Sequence, residues 1–242
     1  MTLRINTACL LIVWLNGLPL PEVHAQKVPV DRQIWLGTSL KIDLPKGWSV
    51  TGQYRLRRIN DASDYKGSYL FLTGDYRINK HFGAFVNYRF ADVDVGKFHR
   101  FAIAAEGRYK LGDFTLSARP MLQRQNQYFA TDNEQAFDID MYLRPRAQLK
   151  YHPARHWDFY IYAEPFFGVL KNQWKLDWWQ NSIGMKYQYA KGKQINLFYI
   201  WQPDFTHKHS FTYHIFAIDF EFAIKPGKKK GKESDEIGDT SN

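Results

Sequence analysis

Three kinds of residue group in this 242-residue chain could do chemistry: a nucleophile with histidines, pairs of metal-ligand type, and a periodic set of charges. Ser210 lies beside His209 and four residues before His214, the residue types a lipid hydrolase needs when an imidazole takes a hydroxyl proton. No nearby acid or amide orients these histidines, and no nucleophile elbow occurs, so a polar loop is the simpler reading. His207-x-His209 offers two metal ligands without a third at suitable spacing. Asp92-x-Asp94 has the oxygen ligands calcium takes, but a solvated loop explains it as well. No catalytic residue, metal or cofactor is assigned, and the chain is not expected to be an enzyme.

The third group is larger and periodic. In HFGAFVNYRF, residues 81–90, Phe82, Ala84, Val86, Tyr88 and Phe90 fall on one side, and Gly83, Phe85, Asn87 and Arg89 on the other. A period of two is a β-strand, with alternate residues on opposite faces. Extending that alternation with the apolar face outward collects an inner set of charges. Its bases are Arg55, Arg57, Arg77, Arg89, Arg108, Arg119, Arg144 and Arg146; its acids are Asp75, Glu106, Asp138, Asp140, Glu164, Asp219 and Glu221. Charges of both signs in a narrow lumen should pair, giving a salt-bridged filling that closes it. The alternative is an anion-favouring passage or pocket, since rings of arginine are one way to select anions.

The elements that must position these charges are long strands. The pattern predicts an all-β chain of about eleven, near 33–44, 48–58, 67–78, 82–92, 98–110, 114–125, 136–151, 157–169, 177–189, 194–204 and 211–224. About ten residues each matches a tilted membrane crossing. Connections such as LPKG, KLGD, HPARH and AKGK are short, while NDASDYKG, DVDVGK, NQYFATDNEQ, LKNQWKLD and DFTHKHS are longer. Short turns on one rim and long loops on the other describe a transmembrane up-and-down antiparallel β-barrel of outer-membrane type, with the short turns periplasmic. Aromatic residues flank nearly every short turn: Trp48, Tyr76, Phe82, Tyr109, Phe114, Tyr151, Trp157 and Tyr189. That is a girdle at a membrane interface. A soluble sandwich core would also bury such rings, but strand length and loop alternation favour lipid.

Two features resist. A single-chain bacterial barrel has an even strand number, so either 33–44 lies outside the wall, leaving ten, or a twelfth strand is hidden. Pro120, Pro145, Pro165 and Pro203 also fall within strand patterns, where each removes a ladder bond; they should mark bulges or strand ends.

The totals agree with an exported barrel. The formal net charge is +9 and the mean hydropathy −0.48, which a barrel tolerates because half of every strand is polar. Residues 1–25 read as a signal peptide, with Arg4, an apolar run from Leu10 to Leu15, and Val23-His24-Ala25 before Gln26. The single cysteine, Cys9, lies within it, so the mature chain should have no disulfide or thiol chemistry. Residues 26–224 should form the barrel and 225–242 a disordered, charged periplasmic tail. Arginines interleaved along strands do not make the clustered basic face nucleic acid requires. The expected partners are outer-membrane lipid and the barrel-assembly machinery, and the barrel should be a monomer.

The segments QIWLGTSLKIDLPKGWSVTGQYRLRR, GDYRINKHFGAFVNYRF, HRFAIAAEGRYKL, MYLRPRAQLKYHP and FYIYAEPFF together resemble the outer-membrane β-barrel family catalogued as domain of unknown function 2490. The similarity runs from about Gln33 to Ile224, with Trp35 in the first strand, Tyr-Arg near several strand ends and a glutamate in a Phe-rich strand. The resemblance implies an outer-membrane barrel, a bacterial one, and supplies no activity. The polar tail after Phe220 and Phe222 departs from the aromatic terminus of many barrels, so an assembly signal would have to be internal.

Overall fold

Alternation over long stretches leaves each strand one choice of inner face, and successive hairpins then build a wall. The computed structural model describes residues 29–94, 96–128, 141–170, 173–205 and 211–225. The segments are β1 (Val30–Asp43), β2 (Trp48–Ile59), β3 (Asp64–Arg77), β4 (Phe82–Val93), β5 (Gly96–Leu111), β6 (Phe114–Arg119) and β7 (Met121–Tyr128). They continue with β8 (Met141–Leu143), β9 (Arg146–Ala154), β10 (Trp157–Leu170), β11 (Gln173–Ala190), β12 (Lys193–Pro203) and β13 (Thr212–Ile224). Each pairs with its neighbours until β13 meets β1, so the sheet closes and has no free edge. In lipid that closure satisfies backbone groups that an open edge would leave bare. No helix among the described residues is long and apolar enough to cross a membrane.

Segments β6 and β7 are one wall strand interrupted at Pro120, and β8 and β9 are another interrupted at Arg144-Pro145, which makes eleven wall strands. The count falls within the ten to twelve expected and equals the eleven segments read from the pattern; what fails is the even number. Eleven strands joined by hairpins bring first and last into the same direction, and β1 and β13 pair in parallel from Val30↔Thr212 to Ile42↔Ile224. Parallel ladders satisfy backbone groups as antiparallel ones do, so an odd count closes through one parallel seam. The described chain therefore begins on one rim, where the Thr212 amide donates to the Pro29 carbonyl at 3.0 Å, and ends on the other.

Several segments read as long loops are partly strand: β3, β5 and β11 run 14, 16 and 18 residues and take in parts of NDASDYKG, DVDVGK and LKNQWKLD, leaving 60–63 to join β2 to β3. These strands are longer than a crossing needs and stand above the apolar band. Asn60, Asp61 and Ala62 turn the first connection with positive φ angles, and Arg58 donates to the carbonyls of Ala62 and Ser63 to hold it.

The prolines have two roles. Pro203 ends β12. Pro120, Pro145 and Pro165 converge on one side of the wall, where the registers of β10 with β8 and β9 skip Glu164, Pro165 and Phe166. On the next strand pair, Met121 and Arg144 exchange backbone bonds of 3.2 and 2.8 Å across the interruption. The wall is thus short of backbone bonds at mid-height, and side chains inside the barrel must hold it there.

Candidate functional site: the arginine-lined lumen

The outer surface has the character of a lipid-facing band. Leu70, Leu72, Val86, Ile103, Leu116, Ile161 and Ile183 are exposed across its middle, and all eight aromatics named at the short turns are exposed at that rim. Trp48 and Tyr76 pack at 4.6 Å between ring centroids, and Phe114 and Tyr151 stack at 4.8 Å. Cross-strand ring pairs of this kind hold neighbouring strands at the headgroup level.

Inside lies a cavity of about 1280 Å³, lined by nine lysine or arginine and four aspartate or glutamate side chains. The inner face is more aromatic than a purely polar lumen: Trp35, Tyr69, Phe71, Phe98, Tyr142, Phe166 and Phe198 also line it. Guanidinium groups stack on these rings. Arg57 sits between Trp35 at 3.8 Å and Tyr69 at 4.0 Å, Arg144 over Phe166 at 3.9 Å and Arg146 over Tyr162 at 4.0 Å. Cation–π contact lets a weakly hydrated cation leave water without a carboxylate.

The acids are few and committed. Glu164, fully buried, takes Arg119 at 3.0 Å, Arg144 at 3.1 Å and Arg146 at 2.5 Å, drawing β6, β9 and the 144–145 interruption onto β10. This is the side-chain clamp at the proline-weakened patch. Asp219 pairs with Arg55, and Glu221 takes Lys186 at 2.8 Å with Gln194 and Asn196 donating to it. Glu106 pairs with Arg108 at 2.7 Å nearer the short-turn rim. Asp75 is half-buried opposite Ser49, and Arg77 is exposed at that rim and does not belong to the cluster. Asp138 and Asp140 lie outside the described residues, as do residues 1–25, where a signal peptide is expected, His207, His209, Ser210 and the tail beyond Lys225.

Of the six arginines that line the cavity, three are left without an acid among the described residues. Among the described residues no ion pair includes Arg57, Arg89 or Arg100, and the Nε atoms of all three are buried without a partner. The inner set read from sequence omitted Arg100, although steps of two from Arg108 through Glu106, Ala104 and Ala102 reach it. It also omitted Asp177, fully buried and accepting from the Tyr142 hydroxyl at 2.8 Å. No parity count finds Asp177, because a register shift opposite Phe166 and Phe167 brings it inside beside Trp178.

The other candidates separate. His214 is on the outer face, where its Nδ1 and the Tyr199 hydroxyl are 2.6 Å apart. Asp92 and Asp94 each face a lysine, Lys97 at 4.0 Å and Lys66 at 3.5 Å.

One close approach has a direct consequence. A Cβ on Gly37 would lie 2.0 Å from Asp219 Oδ1, whereas a Cβ on Gly52 would meet nothing within 4 Å. Gly37→Ala is therefore expected to push Asp219 off Arg55 and destabilise the barrel by about 1–3 kcal/mol, with Gly52→Ala near neutral. Urea midpoints from tryptophan fluorescence of the refolded variants check this; equal midpoints would show that Asp219 yields freely.

No curated protein matches the chain. Among solved structures, a bacterial polysaccharide outer membrane secretin aligns at 10% identity over 74% of this chain and 73% of its own, with a TM-score of 0.45. OccAB4 of Acinetobacter baumannii aligns at 12% identity over 71% of this chain, TM-score 0.35, and OccK8 (OprE) of Pseudomonas aeruginosa at 8% over 66%, TM-score 0.33. The chain spans 51% and 54% of the length of those two. The family model described as a protein of unknown function (DUF2490) matches residues 32–212, from the start of β1 through the start of β13. With that match over a closed, all-β wall of outer-membrane type, the chain belongs to the DUF2490 family.

Proposed function

We propose that the protein is an outer-membrane passage for small anionic solutes, exported by its first 25 residues, inserted by the barrel-assembly machinery and working as a monomer without catalytic chemistry. The observation that carries the reading is the surplus of cations facing one cavity: Arg57, Arg89 and Arg100 lack carboxylate partners among the described residues. A desolvated cation with no counter-ion in the wall favours a mobile anion in the lumen. With the short turns periplasmic, the described chain starts at the outer rim and ends at the periplasmic one.

Conductance tests this. Protein shown to be folded by a heat-dependent gel shift is placed in planar bilayers, and selectivity is taken from the reversal potential. Discrete anion-selective steps, weakened by Arg57→Gln, support the passage. Silence from folded protein would favour a second reading, in which the Glu164 cluster and its arginines close the lumen and the barrel serves as a structural or partner-binding element.

A further inference from the structure

Arg89 on β4 and Arg100 on β5 are direct cross-strand partners on the inner face. Like charges placed opposite one another destabilise an antiparallel pair, and withdrawal from water raises that cost. Yet no carboxylate relieves them among the described residues: Glu164 serves three other arginines, Asp219 serves Arg55 and Glu221 serves Lys186. What they have instead is amide oxygen. Arg89 donates to Gln125 Oε1, and Arg100 donates to Asn87 Oδ1 at 3.3 Å. Asn87 is held in turn by its own bond to Thr73 Oγ1 at 2.7 Å.

The surroundings fix both groups without neutralising them. Tyr69 lies 5.6 Å from Arg89, Phe71 lies 5.7 Å from Arg100, and both guanidinium groups face the cavity with Nε unpartnered. Two planar forks on directly paired positions bring several N–H donors and two positive charges to the same stretch of the cavity wall. That matches a tetrahedral oxyanion carrying more than one negative charge, which accepts several charge-assisted bonds at once. A monovalent halide or carboxylate would leave half of the charge uncompensated.

We propose that Arg89 and Arg100 together form a binding site for a doubly charged tetrahedral oxyanion: phosphate, sulfate or the phosphoryl group of a larger solute. The inference deepens the reading of the lumen as an anion passage and rests on it for its role, while the site itself can be tested separately.

The test is calorimetric titration of the folded, micelle-held protein with phosphate, sulfate and glycerol 3-phosphate, with chloride and acetate as monoanion controls. The expected result is saturable binding of the dianions, at least about tenfold tighter than the monoanions, and an increase in the unfolding midpoint with phosphate. Arg89→Gln and Arg100→Gln should each lose about tenfold or more in phosphate affinity, while Arg108→Gln, near the short-turn rim, should lose none. Tighter binding of glycerol 3-phosphate than of phosphate would assign the site to phosphorylated solutes; equal binding would assign it to the free oxyanion. Wild-type protein that binds no dianion, or binds it no better than chloride, overturns the proposal whether or not the variants fold. Anion-selective conductance without dianion binding would remove this site and leave the passage; dianion binding by an electrically silent barrel would do the reverse.

Discussion

Glu164→Gln is expected to lower the stability of the folded barrel by about 3–5 kcal/mol, because it leaves three arginines around a site that no longer carries charge. The effect is larger than for an ordinary buried pair, since the carboxylate clamps a stretch where the wall has lost backbone bonds. Pro120, Pro145 and Pro165 meet there, and the β10 registers to β8 and β9 leave Glu164 to Phe166 unmatched. Removing Asp219 or Glu221 would unpair a single cation, along with amide donors, beside an intact ladder. The measurement is urea unfolding in micelles, followed by tryptophan fluorescence and by the heat-dependent gel shift. A midpoint equal to that of wild type would mean that water already screens the cluster and that the proline patch holds without it. The same variant adds net positive charge to the lumen, so any conductance should become more anion-selective.

Val86→Arg is expected to cost about 2–4 kcal/mol in membrane insertion, as cations do on the lipid face near mid-bilayer. Val86 is 58% exposed in the middle of β4, and its neighbours on that face are Gly74 and Ile103. Ser117→Arg is the matched comparison. Ser117 lies on the inner face of β6 between Arg108 and Gln148, so the new charge stays out of lipid, and even with Arg108 opposite it insertion should be less impaired. Folded fractions in liposomes, read by gel shift across a urea series, separate the two. Equal insertion of both variants would reverse the assignment of faces on which the lumen reading depends.

Strand positions and the inner arginines were legible because a period of two is local: Val86 and Arg89 declare their faces within a single strand. The interruption at Pro120 and Pro145 was legible only as a position. That it gathers Arg119, Arg144 and Arg146 onto Glu164 depends on β6, β9 and β10 being neighbours, which no short window contains. Asp177 was hidden for the opposite reason, since a register shift breaks the parity that located the others.

By itself the sequence determined an all-β chain of long alternating strands, their approximate bounds, a ring-rich interface at the short turns and an inner face crowded with arginine. These follow from periodicity and residue type, which the backbone reads locally. Only the tertiary structure decided that the wall closes with eleven strands through a parallel seam, because closure is a relation between the first and last strands. It alone decided which arginines have acids and which do not. Pairing across a lumen depends on register and on the facing wall: Glu164 meets three cations, while Arg89 and Arg100 meet each other.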